Sequence, residues 1–297
     1  MAGLEIHPLS ELRSEAAALL AERYARQRAA EPLLPDETDF LEHVPENGVA
    51  ATRGCDLVAY LGGAVEDDMA YTRLAGVAAS EPEAIRDLFG ALSPTFGVSR
   101  FMVFVPASEP ALVDAFFRLS FGRSATLAVQ EAQALPAQPG VTVRESAPTD
   151  LRTIAELDQM LYAQLAESPS YSGLTVPSLE DCERDATDLW EENDNRYWSF
   201  IAESDGEPVG LAVMYRRPAG DLRIGDDTVD LAFAATTPAA RGSGAGVALT
   251  HHVLTWAHER GFRAVSIDWR ETNLPASRFW PKRGFRPTYV RLYRAVP

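Results

Sequence analysis

Three glycines and an arginine stand close together late in the chain, where residues 241–246 read Arg-Gly-Ser-Gly-Ala-Gly. Glycine lets the backbone approach a ligand closely. The first N–H groups of a helix have no acceptors within that helix, and together with the helix dipole they attract phosphate-like anions. A helix that begins here would therefore make the turn an anion-binding site. A plain glycine-rich turn fits the same six residues and stays open as the alternative.

Two elements must position this turn. Before it, residues 229–235 form an apolar run that only Asp230 interrupts, and Pro238 ends the run because proline cannot donate a hydrogen bond to a neighbouring strand. After it, residues 247–260 have apolar residues at helical spacing, and Gly261 stands where a helix is expected to stop. The stretch therefore predicts a buried strand, a short loop and a helix that starts at the glycine turn.

The turn resembles the acetyl-CoA loop of the GNAT N-acetyltransferase superfamily, which has an Arg or Gln, two residues, a Gly, one residue, and then a Gly or Ala. Arg241, Gly244 and Gly246 occupy those places. A second signature of the family has an Asn after the next strand, then an Ala, a short helix and a Gly-Phe pair. After the predicted strand 264–269, these parts are found as Asn273, Ala276, Phe279 and Gly284-Phe285.

The resemblance covers residues 141–297 and implies an N-acetyltransferase that uses acetyl-CoA as cosubstrate and no metal. It implies an α/β (α+β) fold with a mixed, mostly antiparallel sheet flanked by helices. Backbone N–H groups at a splay in the central strand would face the thioester, and by position they belong to Ala234, Ala235 and Thr236. The other cofactor-binding residues implied are Arg241, Gly242, Ser243, Gly244, Ala245, Gly246, Asn273 and Phe279.

Asp230 is the candidate general base. It is the sole charge within a buried-looking strand, where an unpaired carboxylate is costly. Burial would raise its pKa and suit it to accepting a proton, directly or through water, and some GNAT enzymes have a Glu at this position as base. An Asp at the strand end that faces solvent or an arginine is the alternative. Glu271 is a second candidate, with a loop surface position as its alternative.

One position departs from the family. Many members have a Tyr seven residues after the Asn that protonates the leaving thiolate, and here that residue is Trp280. An indole N–H does not act as an acid in this range. Either the thiolate leaves without a protein acid, or another residue such as Tyr289 or Tyr162 protonates it. Trp280 is otherwise expected to pack in the core or against the arm of the cofactor.

Charge is distributed unevenly along the 297 residues, whose formal net charge is −16. Residues 1–138 carry −10, residues 139–240 carry −13, and residues 241–297 carry +7. The acidic total argues against a nucleic-acid partner. Because the basic tail begins at the glycine turn, we expect a polyanionic cofactor there and a cationic amine near the acidic segment before it. Solvated surface charge is the alternative.

The sequence also bears on compartment and redox chemistry. No apolar run approaches the roughly 18 residues of a membrane-spanning helix, and the N-terminus is acidic where a signal peptide would be basic and then apolar. We therefore expect a cytoplasmic protein with no membrane partner. Cys55 and Cys182 are too few for a disulfide framework or a thiolate metal site, and each is expected to be a buried or half-buried thiol.

The first half has the order of strands and helices expected of a second GNAT-like domain, including one strand over 71–79. In place of the glycine turn, residues 80–84 read Ser-Glu-Pro-Glu-Ala, and Ser80 with Glu83 predicts a capping box. The carboxylates would occupy the anion site and repel a diphosphate. We therefore predict that this half does not bind acetyl-CoA. An unrelated α/β domain is the alternative.

The segment 130–140, which contains Pro136 and Pro139, is the expected linker between the halves. An alternating strand at 141–145 then restarts the pattern, which indicates an internal duplication. The prediction is thus two tandem domains. Residues 1–138 form a degenerate GNAT-like domain without a cofactor loop, and residues 139–297 form the GNAT N-acetyltransferase domain.

Three functions stay open. The preferred one is acetyl transfer to a primary amine of a small molecule by the C-terminal domain, in a monomer or homodimer. The second is a regulatory or interaction protein that binds acetyl-CoA without turnover, for which Trp280 in place of the usual Tyr is the reason. The third is a structural α/β protein whose glycine loop is only a turn. Thiol release with amines separates the first from the second, and CoA binding separates the second from the third.

Overall fold

The computed structural model describes residues 3–170, 173–191, 196–218, 220 and 222–296. The chain divides into two compact units. The first comprises Met1–Leu127, Asp221–Gly225 and Pro287–Pro297, and the second comprises Ala128–Gly220 and Asp226–Arg286. This division differs from the predicted boundary between residues 138 and 139, most clearly because the last residues belong to the first unit.

The first unit begins with a strand and a long helix, β1 (Leu4–Pro8) and α1 (Arg13–Ala30). Five strands follow in sequence: β2 (Gly48–Arg53), β3 (Asp56–Gly62), β4 (Ala64–Glu66), β5 (Met69–Thr72) and β6 (Val77–Ala79). The remaining elements alternate: α2 (Ala84–Phe96), β7 (Arg100–Pro106), α3 (Pro110–Phe117) and β8 (Gly122–Glu131). The N-terminal segment of the first unit ends within β8, after Leu127.

Two groups of strands form the sheets of the first unit. One has the order β1-β2-β3-β6 and is antiparallel throughout. The other contains β4, β5, β7 and the last strand of the chain, β14 (Arg286–Ala295). In this group β5 and β7 are parallel, whereas β14 runs antiparallel to β7 with Val290 opposite Val105. Because Val290 and Leu292 pack in the core with Ile85 of α2, the final strand contributes to the core of the first unit.

The strand predicted over 71–79 is broken in two. β5 ends at Thr72 and β6 begins at Val77, and each pairs with a different neighbour, β7 and β3. A Cβ on Gly76 would lie 2.6 Å from the carbonyl oxygen of Gly62, so only glycine fits this close approach. The fully buried Arg23 of α1 donates from Nη1 to the carbonyls of Leu74 and Val77 at 2.9 and 2.7 Å. The break is thus held by side-chain hydrogen bonds that strand periodicity does not reveal.

The second unit has its own strand and helix order. It contains β9 (Thr142–Glu145), α4 (Leu151–Ala166), α5 (Leu179–Glu191), β10 (Tyr197–Ser204), β11 (Glu207–Tyr215), β12 (Thr228–Thr236), α6 (Ala245–Glu259), β13 (Ala264–Arg270) and α7 (Leu274–Phe279). Its strands lie in the order β13-β12-β11-β10-β9. All neighbours are antiparallel except β12 and β13, which run parallel with α6 as their connection.

Helices cover both faces of this second sheet. On one face α6 contributes Leu249, Val253 and Trp256 to a core with Val229 and Leu231 of β12. On the other face Leu157 of α4 packs against buried residues of β10 and β11, namely Ile201 and Leu211. Because each face is buried, β12 reads as an almost continuous apolar run, as the sequence indicated.

The fold class is confirmed: both units are α/β with mixed, mostly antiparallel strands flanked by helices. The predicted linker lies along α6, where the backbone N–H of Leu135 donates to Oγ1 of Thr255 at 3.0 Å. Cys182 is buried as expected, but Cys55 is exposed because it lies in the turn between β2 and β3.

Candidate functional site

β12 is irregular beside the glycine turn. Val213 of β11 lies opposite Phe233 and Met214 lies opposite Leu231, so Ala232 is one extra residue in the β12 strand. Such a bulge bends a strand and interrupts its ladder. The parallel pairing with β13 covers only Thr228–Asp230, although both strands continue. The two strands therefore separate after Asp230, which is the splay that the sequence resemblance implied before Ala234–Thr236.

The glycine turn leaves several amides open. Gly242 and Gly244 have φ values of +83° and +97°, a left-handed backbone that favours glycine. α6 begins at Ala245, and the backbone N–H groups of Gly244, Gly246 and Val247 have no acceptor in the described part of the chain. Since the helix dipole adds positive potential at this end, the turn has the donors and the charge that an anion requires.

These open amides border a cavity of about 480 Å³ in the second unit. Its wall is built from the separated end of β12, the turn, the first turns of α6, one face of α4, and α7. The predicted cofactor-binding residues on this wall are Ala234, Ala235, Thr236, Arg241, Gly242, Gly244, Ala245, Gly246, Asn273 and Phe279. Ser243 is absent from the wall: its hydroxyl donates to the carbonyl of Ala240 at 2.8 Å and accepts from the N–H of Ala245 at 3.4 Å. These two hydrogen bonds stabilise the turn without placing Ser243 on the cavity wall.

The second signature supplies the opposite wall. Asn273 caps α7, because its Oδ1 accepts from the backbone N–H of Ala276 at 3.5 Å. This brings Phe279 against the first turn of α6, where a Cβ on Gly246 would lie 3.4 Å from the Phe279 ring. A larger residue at position 246 would press on that ring, so Gly246 and Phe279 together set the width of the cavity.

Trp280 lies on the cavity wall and is 7% exposed. Its ring packs edge-on against Phe279 and Phe285, with centroids 4.9 and 5.4 Å away. The structure thus gives it a packing role. Tyr289, one of the two residues considered as a replacement acid, belongs to the first unit and is fully buried. It is not among the cavity-wall residues, and its role as an acid stays a prediction.

Asp230 is 1% exposed and its charge is paired. Arg217 donates from Nε to Oδ2 at 2.7 Å, and Ser266 donates from Oγ to Oδ1 at 2.5 Å. The carboxylate is not part of the cavity wall. The structure therefore matches the alternative in which this residue faces an arginine, and its role as a base stays a prediction.

An acidic pair lies between α4 and α5, with Asp158 half-buried and Asp185 exposed. Burial, and after it the neighbouring Asp185, raises the pKa of the Asp158 carboxyl to about 6, against the opposing effect of a hydrogen bond with Cys182. Burial and the same carboxylates raise the pKa of the Cys182 thiol and of the Tyr162 phenol. Tyr162 is therefore a poorer acid than a free phenol, and it is not among the cavity-wall residues.

Among the wall residues that the sequence did not single out are Leu161, Gln164 and Arg283. Oε1 of Gln164 accepts from Nη2 of Arg241 at 2.6 Å, which fixes the arginine of the turn against α4. Arg283 follows α7 and its guanidinium carbon lies 5.4 Å from the centroid of the Phe279 ring. No local pattern singles out Leu161 or Gln164 on α4 as wall residues, because the contact of Gln164 with Arg241 exists only in the folded chain.

The corresponding turn of the first unit is closed. The N–H groups of Ala84, Ile85 and Arg86 donate to the carbonyls of residues 81–83 at 3.1–3.2 Å. The predicted capping box is wrong, since Oγ of Ser80 donates to the carbonyl of Val58. The carboxylates also do not occupy the amides: Glu81 binds Arg53 at 2.7 Å, and Glu83 binds Arg86 and Arg118. Backbone hydrogen bonds, and not acidic side chains, satisfy this helix start.

In the described residues, no three His, Cys, Asp or Glu side chains are placed to hold a metal ion. Of the helices described, none is long and apolar enough to cross a membrane.

Sequence comparisons identify relatives of the second unit. Residues 159–285 match the family model described as Acetyltransferase (GNAT) family. An uncharacterized N-acetyltransferase of Mycobacterium tuberculosis is 35% identical over 101 residues, which are 34% of this chain and 60% of the relative. An uncharacterized N-acetyltransferase of Mycobacterium bovis has the same identity and coverage. The chain thus matches 60% of the length of these relatives.

Solved structures resemble the whole chain. A GCN5-related N-acetyltransferase from Sphaerobacter thermophilus has a TM-score of 0.56 at 14% identity, over 99% of this chain and 97% of that chain. A glucosamine N-acetyltransferase region of a fungal multi-domain β-N-acetylglucosaminidase has a TM-score of 0.53 at 12% identity, over 99% and 38%. At these identities the likeness concerns the fold. These solved structures share the fold of this chain, and residues 159–285, which contain the glycine turn and the second signature, match the Acetyltransferase (GNAT) family model.

Proposed function

We propose that the second unit is an acetyl-CoA-dependent N-acetyltransferase that acetylates a primary amine of a small molecule. The observation that carries this proposal is the set of open amides at Gly244, Gly246 and Val247, which border a cavity of about 480 Å³ beside the separated strands. The GNAT family uses acetyl-CoA, whose diphosphate needs such donors. The first unit, whose corresponding amides are closed, is proposed to bind none.

The cavity has a polar end and an apolar end. The amides of the turn would hold the diphosphate, while the pantetheine arm would lie between Phe279 and the small residues Ala234 and Ala235. Acetyl-CoA would supply the thioester. Backbone N–H groups of the separated β12 segment would polarise its carbonyl oxygen, because fixed donors stabilise the charge that develops when an amine attacks.

Two proton transfers accompany the reaction. The amine must be neutral when it attacks, and Asp230 remains the proposed base, directly or through water. Its pairing with Arg217 means that a proton would have to be accepted by a carboxylate that already receives three hydrogen bonds. For the leaving group, a free thiol has a pKa of about 8.5, so a thiolate can leave near neutral pH without a tyrosine.

The acceptor is proposed to be cationic when free in solution. α5 carries Glu180, Asp181, Glu183, Asp185 and Asp188 along one helix beside α4. Negative potential near a cavity raises the local concentration of a cationic amine. The size of the cavity, about 480 Å³, suits a small molecule in addition to part of the cofactor.

A second candidate function is binding of acetyl-CoA without turnover. Trp280 favours it, because the wall residue at the position of the usual tyrosine is an indole packed on Phe279 and Phe285. The two candidates make the same prediction for CoA binding and opposite predictions for thiol release.

The test is a thiol-release assay with acetyl-CoA over a panel of primary amines, run beside calorimetric titration with CoA. Release that depends on an amine, together with acetylated product in the mass spectrum, supports the transferase. Tight CoA binding without release for any amine supports the second candidate. No binding at all contradicts both.

A further inference from the structure

Arg283 is a cation on the cavity wall that has no acidic partner in the part of the chain that the structure describes. It is half-buried, and its Nε is buried and has no hydrogen-bond partner in the structure. In the described residues its side chain makes no ion pair, and its recorded side-chain contact is with the face of Phe279. Several other arginines of the second unit are paired with acids, among them Arg144 with Asp150, Arg152 with Glu156, Arg184 with Asp181, and Arg217 with Asp230.

An unsatisfied buried donor on a charged group costs free energy, which a bound anion would recover. Acidic side chains are abundant in this protein, since the formal net charge is −16. A shortage of Asp and Glu side chains therefore does not explain why Arg283 has no acidic partner in the described residues. A guanidinium that faces a cavity and is left unpaired is well suited to an anionic ligand, above all a phosphate, with which it forms short, charge-assisted hydrogen bonds.

The Phe279 ring lies close both to Arg283 and to the first turn of α6. One part of the ring lies 3.4 Å from where a Cβ on Gly246 would be, and the guanidinium carbon of Arg283 lies 5.4 Å from the ring centroid. Arg283 therefore stands beside the first turn of α6 but is not part of the amide cluster. The other arginine of the wall, Arg241, is directed to α4 by its hydrogen bond to Gln164.

We propose that Arg283 binds the ribose 3′-phosphate of coenzyme A. This inference rests on the proposed function. Coenzyme A carries two anionic groups, the diphosphate and the ribose 3′-phosphate, and its pantetheine arm is neutral. If the amides of the turn hold the diphosphate, the ribose 3′-phosphate is the anion left for a separate cation on the same wall. Arg283 would then make the protein distinguish coenzyme A from 3′-dephospho-coenzyme A.

The test compares dissociation constants of coenzyme A and 3′-dephospho-coenzyme A by calorimetry. We expect the wild-type protein to bind coenzyme A about tenfold more tightly, the size of a charge-assisted phosphate contact. In Arg283→Gln that ratio should fall to about one through weaker binding of coenzyme A, while binding of the dephospho form is unchanged. Arg283→Lys, which keeps the charge, should retain part of the ratio.

Arg278→Gln is the matched control, because it removes the same charge from the same segment at an exposed position that is not on the cavity wall. It should leave the ratio as in the wild type. Thermal melts of each variant show whether the fold is intact. Equal weakening of both ligands in Arg283→Gln would overturn the inference and indicate a diphosphate contact or support of Phe279. A wild-type ratio of one would also overturn it, whereas no binding of either ligand would overturn the proposed function itself.

Discussion

Arg217 and Asp230 form an ion pair in which Nε and Nη2 of the guanidinium lie 2.7 and 2.6 Å from one carboxylate oxygen, Oδ2. The side chain of Asp230 is 2% exposed and that of Arg217 is 36% exposed. Removal of Arg217 and removal of the Asp230 carboxylate should therefore change the free energy of unfolding by different amounts. Without Arg217 a buried carboxylate keeps only Ser266 as a donor, whereas without the carboxylate the arginine can turn to solvent.

We expect Arg217→Met to lower the free energy of unfolding by about 1–3 kcal/mol, and Asp230→Asn to lower it by less, because an unpaired buried charge is the costlier product. Urea denaturation at pH 7 measures both. The double variant should be close to Asp230→Asn alone, since the arginine has then lost its main partner. Equal effects of the two single variants would contradict this account of the pair.

The same variants test the proposed base. If Asp230 accepts the proton, Asp230→Asn should lower kcat about 10²–10⁴-fold. Arg217→Met should lower kcat by much less, because it leaves the carboxylate in place. Small and equal changes in kcat for the two variants would assign Asp230 a structural role.

The glycine turn can be tested with two alanine variants that carry a similar backbone penalty. Gly244 and Gly261 have φ values of +97° and +80°, and an added Cβ meets nothing within 4 Å at either place. Each alanine should lower stability by about 1 kcal/mol because of the left-handed backbone. Gly244→Ala alone should weaken CoA binding, by about tenfold, since relaxation of the turn would move the amides. Calorimetry and thermal melts separate the two effects. Equal weakening of CoA binding in Gly261→Ala would show that the loss of affinity results from lower stability of the protein and not from the turn.

The closed turn of the first unit predicts the stoichiometry of binding. We expect one CoA per chain, and we expect that number to persist in the double variant Glu81→Gln, Glu83→Gln. The reason is that backbone carbonyls, and not these carboxylates, accept from the amides of Ala84, Ile85 and Arg86. Titration calorimetry measures the stoichiometry. A second site in the double variant would show that acidic charge alone had excluded the cofactor.

Asp158 predicts a pH dependence of stability. Its pKa is raised from 3.8 to about 6 in the folded protein, so the folded state binds a proton more tightly than the unfolded chain does. Stability contributed by this group is therefore lost as the pH rises from 3.8 to about 6. We expect Asp158→Asn to raise the melting temperature by about 2 °C at pH 7.5, a value discounted for partial exposure.

The difference between Asp158→Asn and the wild type should shrink as the pH falls towards 3.8, because the wild-type carboxyl is then protonated in both states. Asp188→Asn, an exposed change on the neighbouring helix, α5, is the control and should show no such trend. A stabilisation that does not depend on pH would mean that shape or hydrogen bonding, and not charge, is responsible.

The sequence was sufficient for parts of the site that lie close together along the chain. The strand before the glycine turn and the helix after it are local patterns, and both were predicted to within one or two residues. Arg283 and Gln164 escaped prediction because nothing in their neighbours indicates a cavity. Their roles arise from packing of α4 and α7 around the turn.

The pairing of strands that are distant in sequence also could not be predicted. A strand at the chain end was predicted, but the choice of β7 as its neighbour depends on the fit of Val290 and Leu292 into a distant core. The break between β5 and β6 depends likewise on Arg23, which reaches it from α1 across more than fifty positions. The hydrophobic periodicity of a strand indicates which of its faces is buried, but it does not identify the residues that pack against that face.

The position of β14 bears on synthesis in the cell. The first 127 residues emerge from the ribosome early, yet the edge of β7 has no native neighbour on that side until Tyr289–Ala295 have been translated. Exposed strand edges invite pairing with other chains, and nascent domains usually fold in order from the N-terminus. In this protein the first unit is complete only after β14 has been translated. A fragment that contains residues 1–127 alone would therefore lack the strand that pairs with β7.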